Sequence, residues 1–202
     1  RITSFAEFIS IYGVSYTELL VTVTSNVVTS IEDNSPATPV SLPTVYTSFY
    51  FALQAFYANG GGVCYVINKT VTAAIDELKE PTLIVSPSSI DTQADMDAIL
   101  AHCGTMQDRF AILDTAAVTS GELSTFRGLT LTNLSYGAVY SPPLNSVFTL
   151  PIKDDYSNVK VIVDADPEVE LSTLKGNDIF NKAITAINNV TVTVPASSAI
   201  AG

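Results

Sequence analysis

The chain has few basic residues and few charged residues of any kind. Its 202 residues include nine Lys plus Arg against twenty Asp plus Glu, a formal net charge of −11. Proteins that bind a phosphate backbone use clustered positive charge, so we predict no direct binding to nucleic acid. Only 14% of the residues are charged, whereas soluble domains usually carry about 25%. This composition favours a protein whose surface is covered by neighbouring subunits.

Long apolar runs and paired cysteines are also missing. No run approaches the roughly 18 apolar residues of a membrane-spanning helix, so we predict no membrane insertion. We also find no secretory signal peptide in the sequence. The only cysteines, Cys64 and Cys103, are far apart and lack metal-ligand spacing. We expect both to be buried as small hydrophobic residues.

Three consecutive glycines lie where a helix ends, not where a phosphate-binding loop would need them. Residues 48–67 read SFYFALQAFYANGGGVCYVI, which predicts a helix, a glycine stop and a buried strand at residues 63–67. One helix face is predicted to be aromatic and apolar, from residues at helical spacing: Phe49, Leu53, Phe56 and Tyr57. Phosphate loops run from strand through glycines to helix. We therefore interpret residues 59–62 as a structural turn and predict no nucleotide site.

The N-terminal part of the sequence predicts a short helix followed by a β-rich insertion. Ser4 and Glu7 form a capping-box pattern, and Gly13 is the predicted helix end. Residues 18–31 are rich in β-branched side chains and predict one long strand or a hairpin. Residues 34–43 carry three prolines and predict an irregular connection.

From residue 63 onward, predicted strands and helices alternate. The strands are at residues 63–67, 83–85, 110–113 and 136–140, and the helices at 71–78, 92–103 and 120–126. A strand at 159–163, a helix at 178–187 and a strand at 190–194 follow. This order predicts an α/β fold, with a mainly parallel or mixed sheet and helices on both faces. We divide the chain into an N-terminal segment, residues 1–62, that packs on an α/β core domain, residues 63–202.

In an α/β sheet, an active site is expected at the carboxyl ends of the strands. Ser86, Asp114 and Ser141 each lie at such an end. His102 is the only histidine, it falls within a predicted helix, and no GxSxG motif supplies a nucleophile. We therefore predict no catalytic residue and no enzymatic activity.

Two groups of acidic residues are candidate metal ligands. Asp91, Asp95 and Asp97 open a predicted helix, where carboxylates favour the positive end of the helix dipole. Four others lie in predicted turns: Asp154, Asp155, Asp164 and Asp166. They lack the glycine-bearing, alternating pattern of an EF-hand loop. We interpret both groups as structural and predict no metal and no cofactor.

Six segments, taken in order along the chain, resemble the contractile phage tail sheath proteins. One is the aromatic helix with its NGG turn and CYV strand at residues 48–67. The other five are 3–13 (TSFAEFISIYG), 76–87 (DELKEPTLIVSP), 108–115 (DRFAILDT), 136–143 (YGAVYSPP) and 194–202 (VPASSAIAG). Each segment alone is short, and the ordered set is what identifies the resemblance.

The chain departs from the family pattern at several places. Asn68 and Lys69 stand where the family tends to have arginine, Pro143 where many relatives carry tryptophan, and Ala196 in place of a proline. Residues 14–47 form a long insertion. The sequence begins at Arg1 rather than Met and stops at Gly202, where the family continues. We therefore expect it to be part of a larger protein.

The resemblance implies a structural subunit whose copies stack helically around a tail tube and contract to drive the tube through the host envelope. Its partners would be other copies of itself, the tail tube protein, and the baseplate and tail terminator proteins. It implies a place in the tail of the virion, after assembly in the host cytoplasm. Relatives hold their neighbours through extended terminal arms that lie outside residues 1–202, so we expect this chain alone to be monomeric or weakly associating.

Three alternatives remain open at this point. The first is the sheath of a related contractile injection device, such as a bacteriocin particle or a type VI secretion system. The second is a small-molecule-binding α/β enzyme that uses the strand ends at Ser86 and Asp114. The third is a secreted adhesin domain, favoured by Thr-rich strands and Asn-X-Ser/Thr triplets.

Overall fold

The computed structural model describes residues 1–34, 40–41, 45–46, 49–67, 73–86, 93–115 and 119–196. Within these residues the helices are α1 (Phe5–Tyr12), α2 (Phe49–Ala58), α3 (Ala73–Asp76), α4 (Gln93–Met106), α5 (Ser120–Arg127) and α6 (Asp178–Asn188). Two 3₁₀ turns span Leu134–Tyr136 and Leu171–Leu174. The predicted α/β fold class is confirmed.

The strands pair in both parallel and antiparallel directions. They are β1 (Leu19–Thr24), β2 (Val27–Asp33), β3 (Val40–Ser41), β4 (Val45–Tyr46), β5 (Leu83–Ser86), β6 (Phe110–Asp114), β7 (Gly137–Tyr140), β8 (Leu144–Asn145), β9 (Val159–Val163), β10 (Val169–Glu170) and β11 (Thr191–Val194). Most predicted strands and helices after residue 80 lie within two or three residues of these bounds.

The chain folds as two compact units. The first consists of Arg1–Gly13, Thr47–Asn145 and Thr193–Gly202, and the second of Val14–Tyr46 and Ser146–Val192. The division predicted after residue 62 differs from this one, because that boundary falls inside the first unit. The physical reason is strand pairing: β1, in the predicted insertion, pairs along its length with the distant strand β9.

The first unit contains a parallel sheet in the order β5-β6-β7. Helix α4 packs on β6 and buries Met96, Leu100 and Cys103 against Ala111 and Leu113. The helix approaches the sheet closely at Gly137, where an added Cβ would lie 2.4 Å from Leu100 Cδ2. A glycine is therefore required at the start of β7 for the helix to reach the sheet.

Helix α1 ends at the predicted Gly13 and has one half of the predicted capping box, because Glu7 bonds Thr3 instead of returning to the Ser4 N–H. The Ser4 hydroxyl accepts the Glu7 N–H at 3.1 Å, and the Glu7 carboxylate accepts the Thr3 N–H at 2.7 Å. The bond from the Thr3 hydroxyl to the Glu7 carboxylate, at 2.6 Å, and the bond from the Thr3 N–H lower the pKa of Glu7. Gly13 ends the helix with φ 80°, and its N–H donates to the Ile9 carbonyl at 2.8 Å. This end was predictable because every contact in it is local.

The predicted helix at the start of residues 48–67 is present as α2. Its buried residues are Phe51, Ala52, Leu53 and Ala55, whereas Phe49 is exposed. One prediction about residues 48–67 is wrong. Residues 63–67 form no strand of the parallel sheet. Their pairing is an isolated antiparallel bridge between Cys64 and Ile2, with bonds of 2.8 and 2.9 Å.

The second unit contains a mixed sheet in the order β10-β9-β1-β2-β3. Residues 18–31 form the hairpin β1–β2, which turns at Ser25 and Asn26 with φ of 50° and 62°. Strands β1 and β9 run parallel and bury four fully enclosed valines: Val21, Val23, Val159 and Val161. Helix α6 buries Ala183 and Ile187.

A buried asparagine ties the two chain segments of the second unit together. Asn158 has no exposed surface. Its side-chain amide donates to the carbonyls of Thr17 at 3.0 Å and Pro151 at 3.2 Å. Its carbonyl oxygen accepts the Lys153 N–H at 2.9 Å. The Asn158 side chain therefore forms hydrogen bonds with the backbone of both segments, and its own buried polar atoms are satisfied.

Candidate functional site

The carboxyl end of the parallel sheet holds the residues that the sequence singled out for catalysis. The register pairs Ser86 with Leu113 and Asp114 with Tyr140. Asp114 is buried. Residues 87–92 and 116–118, which follow β5 and β6, lie outside the described residues. In the described part of the chain, Ser86 and Asp114 therefore lie at the same end of the parallel sheet, and His102 does not lie there.

His102 belongs instead to a polar cluster around a buried arginine at the opposite end of β6. The Arg109 guanidinium, which is fully enclosed, donates to the carbonyls of Ile75 at 3.1 Å and Leu78 at 2.9 Å. It also pairs with Asp108 at 2.7 Å and lies 3.3 Å from His102 Nε2. Because these carbonyls lie at the end of α3, Arg109 satisfies groups that a helix end leaves open.

The geometry around His102 fits a structural role. A guanidinium carries donors only, so His102 Nε2 must accept from Arg109 and the ring proton must lie on Nδ1. Nδ1 is 3.0 Å from Asp76 Oδ1. Both ring nitrogens are therefore engaged by the protein, and neither is offered to a substrate. The Arg109 hydrogen bond also lowers the pKa of Asp108.

Sequence reasoning missed Arg109. The signal was a lone arginine directly before the apolar run FAIL of β6. A charged side chain directly before a buried strand must either form hydrogen bonds within the protein or remain exposed to water. The two carbonyls that accept from Arg109 lie more than thirty residues upstream, so the sequence pattern could not identify them.

The acidic residues of helix α4 serve the fold. Asp97 Oδ1 accepts the Thr132 N–H at 2.7 Å and the Thr132 hydroxyl at 2.8 Å. These two bonds lower the pKa of Asp97. Asp95 lies in the first helical turn, as predicted, and Asp91 lies outside the described residues. Asp97 therefore anchors the loop before β7 to the helix.

The acidic turns of the second unit serve the backbone in the same way. Asp155 Oδ1 accepts the Ser157 N–H at 3.0 Å, a bond that lowers the pKa of Asp155. Asp164 Oδ1 accepts the Ser25 N–H at 2.6 Å. Among the described residues, no three His, Cys, Asp or Glu side chains are grouped so that they could hold a metal ion.

The glycine turn after α2 directs its amides back into the helix. The Gly60 N–H donates to the Tyr57 carbonyl at 3.2 Å, and the Gly61 N–H donates to the Phe56 carbonyl at 2.9 Å. An added Cβ on Gly61 would lie 2.5 Å from the Phe56 ring. These two amides close the helix and are not presented to an anion.

Both cysteines are free thiols. Cys103 is buried as expected, and burial raises its pKa. Cys64 is only half-buried, and its Sγ lies 3.3 Å from the Tyr57 hydroxyl. Burial, followed by this contact, raises the pKa of Tyr57. A protonated thiol enclosed by apolar side chains is a poor nucleophile, which makes Cys103 structural.

Two concave surfaces lie along α6 in the second unit. A groove of about 380 Å³ is lined by residues that include Lys153, Asp154, Tyr156 and Phe180. A second groove of about 510 Å³ is lined by residues that include Asn26, Val27 and Lys182. Asn181 and Thr185 line both grooves, so the exposed side of α6 forms a ridge between them.

No family model and no curated protein matches the chain. In the described part of the chain, no helix combines the length and the apolarity that crossing a bilayer requires.

Proposed function

We propose that this chain is the core of a contractile sheath subunit, which polymerises helically around a tail tube and contracts to drive the tube through a host envelope. The proposal makes it a structural protein of a phage tail or of a related contractile injection device. Its partners are further copies of itself, the tube protein, and the proteins at the two ends of the tail.

One observation carries the proposal. All six segments that resemble sheath proteins fall inside the first unit, which comprises Arg1–Gly13, Thr47–Asn145 and Thr193–Gly202. The second unit is built from the two long stretches without resemblance, Val14–Tyr46 and Ser146–Val192. Sequence motifs and backbone contacts are independent criteria, and both divide the chain at nearly the same places. A chance set of short matches has no reason to follow a structural boundary.

The first unit has the features that a rigid building block needs. Its parallel sheet is packed by α4, and the buried Arg109 joins α3 to the start of β6. In a contractile device the subunits stay rigid while their interfaces change between two packings. The energy for contraction is stored in those contacts at assembly, so the proposal requires no nucleotide-hydrolysing site.

The edges of the parallel sheet are suited to joining copies. In the described part of the chain, β5 and β7 each pair with β6 alone. An outer strand presents unpaired N–H and C=O groups that can pair with a segment of another chain. Terminal arms from neighbouring subunits would use such edges.

Electron microscopy of the full-length protein tests the proposal. When the protein is expressed with its tube protein, we expect hollow tubes with a regular axial striation. Soluble, unassembled protein under conditions in which the tube protein polymerises would contradict the proposal.

A binding screen tests the enzyme alternative at Ser86 and Asp114. Isothermal titration calorimetry with nucleotides and divalent metal ions should show no stoichiometric binding to a sheath subunit. Tight, stoichiometric binding that Asp114→Asn abolishes would favour the enzyme instead.

A further inference from the structure

Every donor of the buried Arg109 guanidinium has an acceptor. Its Nε donates to Asp108 at 2.7 Å, and Nη2 donates to the Leu78 carbonyl at 2.9 Å and approaches the second Asp108 oxygen at 3.5 Å. Nη1 donates to the Ile75 carbonyl at 3.1 Å, which leaves one Nη1 proton for His102 Nε2 at 3.3 Å. A guanidinium has five N–H donors, so this set of bonds is complete only while His102 Nε2 accepts.

A second proton on the His102 ring removes that acceptor. A charged imidazole carries an N–H on both nitrogens, so the Nε2–H would face an Arg109 donor across 3.3 Å. Two positive charges would also lie side by side, and the Arg109 side chain has no exposed surface through which water could screen them. A charged His102 and Arg109 therefore cannot keep their present contact.

The other partner of the ring acts in the same direction. His102 Nδ1 lies 3.0 Å from Asp76 Oδ1, and a nearby carboxylate favours the charged form of an imidazole. The Asp76 side chain is 59% exposed, and it stands on α3, a helix of four residues. A protonated His102 is therefore repelled by the enclosed Arg109 and attracted by the more exposed Asp76.

The other charged and titratable groups around this contact leave its direction unchanged. Asp108, directly before β6, keeps its charge because the Arg109 hydrogen bond lowers its pKa, with a smaller contribution from Lys79 after α3. The Asp108 side chain is 48% exposed, so Arg109 can turn toward water and still remain paired with it. On α4, residues 98–106 read AILAHCGTM and carry no formal charge. The thiol of Cys103 stays neutral, because burial raises its pKa.

We propose that His102 makes the junction between α3 and β6 sensitive to pH: the neutral ring holds Arg109 on the carbonyls of Ile75 and Leu78, and protonation of the ring releases them. A buried donor without an acceptor is costly, so Arg109 turns toward water, and residues 73–78 lose their attachment to the start of β6. Imidazole is the one side chain with an ordinary pKa, about 6.5, between pH 5 and 8, and the chain has a single histidine. The inference is independent of the proposed sheath function.

Hydrogen exchange of the full chain and of its His102→Gln variant tests the junction. The glutamine amide offers an oxygen acceptor to Arg109 and gains no charge in acid. Exchange in residues 73–78 is compared at pH 7.5 and pH 5.5, about one unit on either side of the ordinary imidazole pKa. This segment has the same sequence in both proteins, so the ratio of their rates removes the intrinsic effect of pH. We expect equal rates at pH 7.5 and exchange about threefold faster or more in the original chain at pH 5.5.

Strand β9 of the second unit is the internal control, and its exchange should be the same in both proteins at each pH. The proposal is overturned by a rate ratio in residues 73–78 that does not change with pH, or by an equal acceleration in β9, which would mean general unfolding.

Nuclear magnetic resonance of the original chain gives a second test that needs no variant. Because the chain has one histidine, a single pair of imidazole nitrogen signals reports on His102. We expect the ring proton on Nδ1 at pH 7.5, and amide signals of Ile75 and Leu78 that shift with the same midpoint as the ring when the pH is lowered. A proton on Nε2 at pH 7.5, or amide signals that stay unchanged while the ring titrates, would overturn the proposal.

Discussion

In each unit a buried polar side chain joins segments that are distant in sequence, but the two units use different residue types. In the first, the charged Arg109 donates to the carbonyls of Ile75 and Leu78. In the second, the neutral Asn158 donates to the carbonyls of Thr17 and Pro151. Each side chain is buried, and each joins parts of the chain that are distant in sequence. The comparison teaches that distant segments are joined through backbone carbonyls, which any donor of suitable reach can satisfy.

The units also differ in how local their folding is. The parallel strands of the first unit, β5 to β7, follow one another along the chain with helices between them. In the second unit, β1 pairs with β9, so Leu19 lies beside Val159. Loop closure over such a distance costs more entropy than local pairing. We therefore expect the second unit to depend more on its core to hold its two segments together.

The largest expected effect is the loss of core volume in either unit. Leu113 in the first unit and Leu171 in the second are both almost fully buried, and replacing each with alanine should cost about 2–5 kcal/mol. We expect each substitution to reduce hydrogen-exchange protection first in its own unit. An equal loss of hydrogen-exchange protection in both units from either variant would contradict the expectation that each unit depends on its own core.

The next effect concerns the two buried donors. Arg109→Met and Asn158→Leu each leave two carbonyls without their donor, and a buried unpaired group costs about 1–3 kcal/mol. We therefore expect losses of similar size in urea unfolding, despite the difference in charge. Arg127→Met, at an exposed position in the last turn of α5, is the control and should change stability little. A negligible loss from Asn158→Leu would show that its amide is not what joins the two segments.

The helix N-caps sharpen the comparison at a smaller scale. The Thr119 hydroxyl accepts the Glu122 N–H in a full capping box on α5, and Asn177 Oδ1 accepts the Ile179 N–H on α6 at 3.1 Å. Replacing either residue with alanine should cost about 0.5–2 kcal/mol. Thermal unfolding followed by circular dichroism measures this loss. If Asn177→Ala costs nothing while Thr119→Ala does, α6 is held by its packing alone.

The smallest effect is a pH dependence from Asp97 in the first unit. The Thr132 bonds lower the pKa of Asp97 in the folded protein. Its contribution is therefore present above the ordinary carboxyl pKa, about 3.9, and is lost as pH falls through the lower folded pKa. Asp97→Asn should be less stable than the original protein at pH 7, and the difference should shrink below about pH 4. Urea midpoints at pH 7 and pH 3 measure this, and a pH-independent difference would contradict the assignment.

Sequence reasoning succeeded where the determining contacts are local. The Ser4–Glu7 cap, the Gly13 stop and the strands after residue 80 follow from neighbouring residues. It failed where distant segments decide. The five-strand sheet depends on the pairing of β1 with β9, and no local sequence pattern predicts that pairing. Residues 63–67 have a strand-like composition, yet their partner is Ile2 rather than the parallel sheet.

The same distinction applies to the functional residues. That His102 lies in a helix was predictable, but its contacts with Asp76 and Arg109 were not. The short segments with family resemblance were found because each is continuous in the chain.

The proposed function depends on one physical idea: contraction of the sheath is driven by rearrangement of the contacts between rigid subunits. The most direct test is to image purified tubes of the full-length protein in nucleotide-free buffer, before and after a contraction trigger such as mild acid or denaturant. We predict striated tubes in two discrete states, a long narrow one and a short wide one, with the same fold of the first unit in both. Tubes of a single length that no trigger shortens without an added nucleotide would contradict the claim.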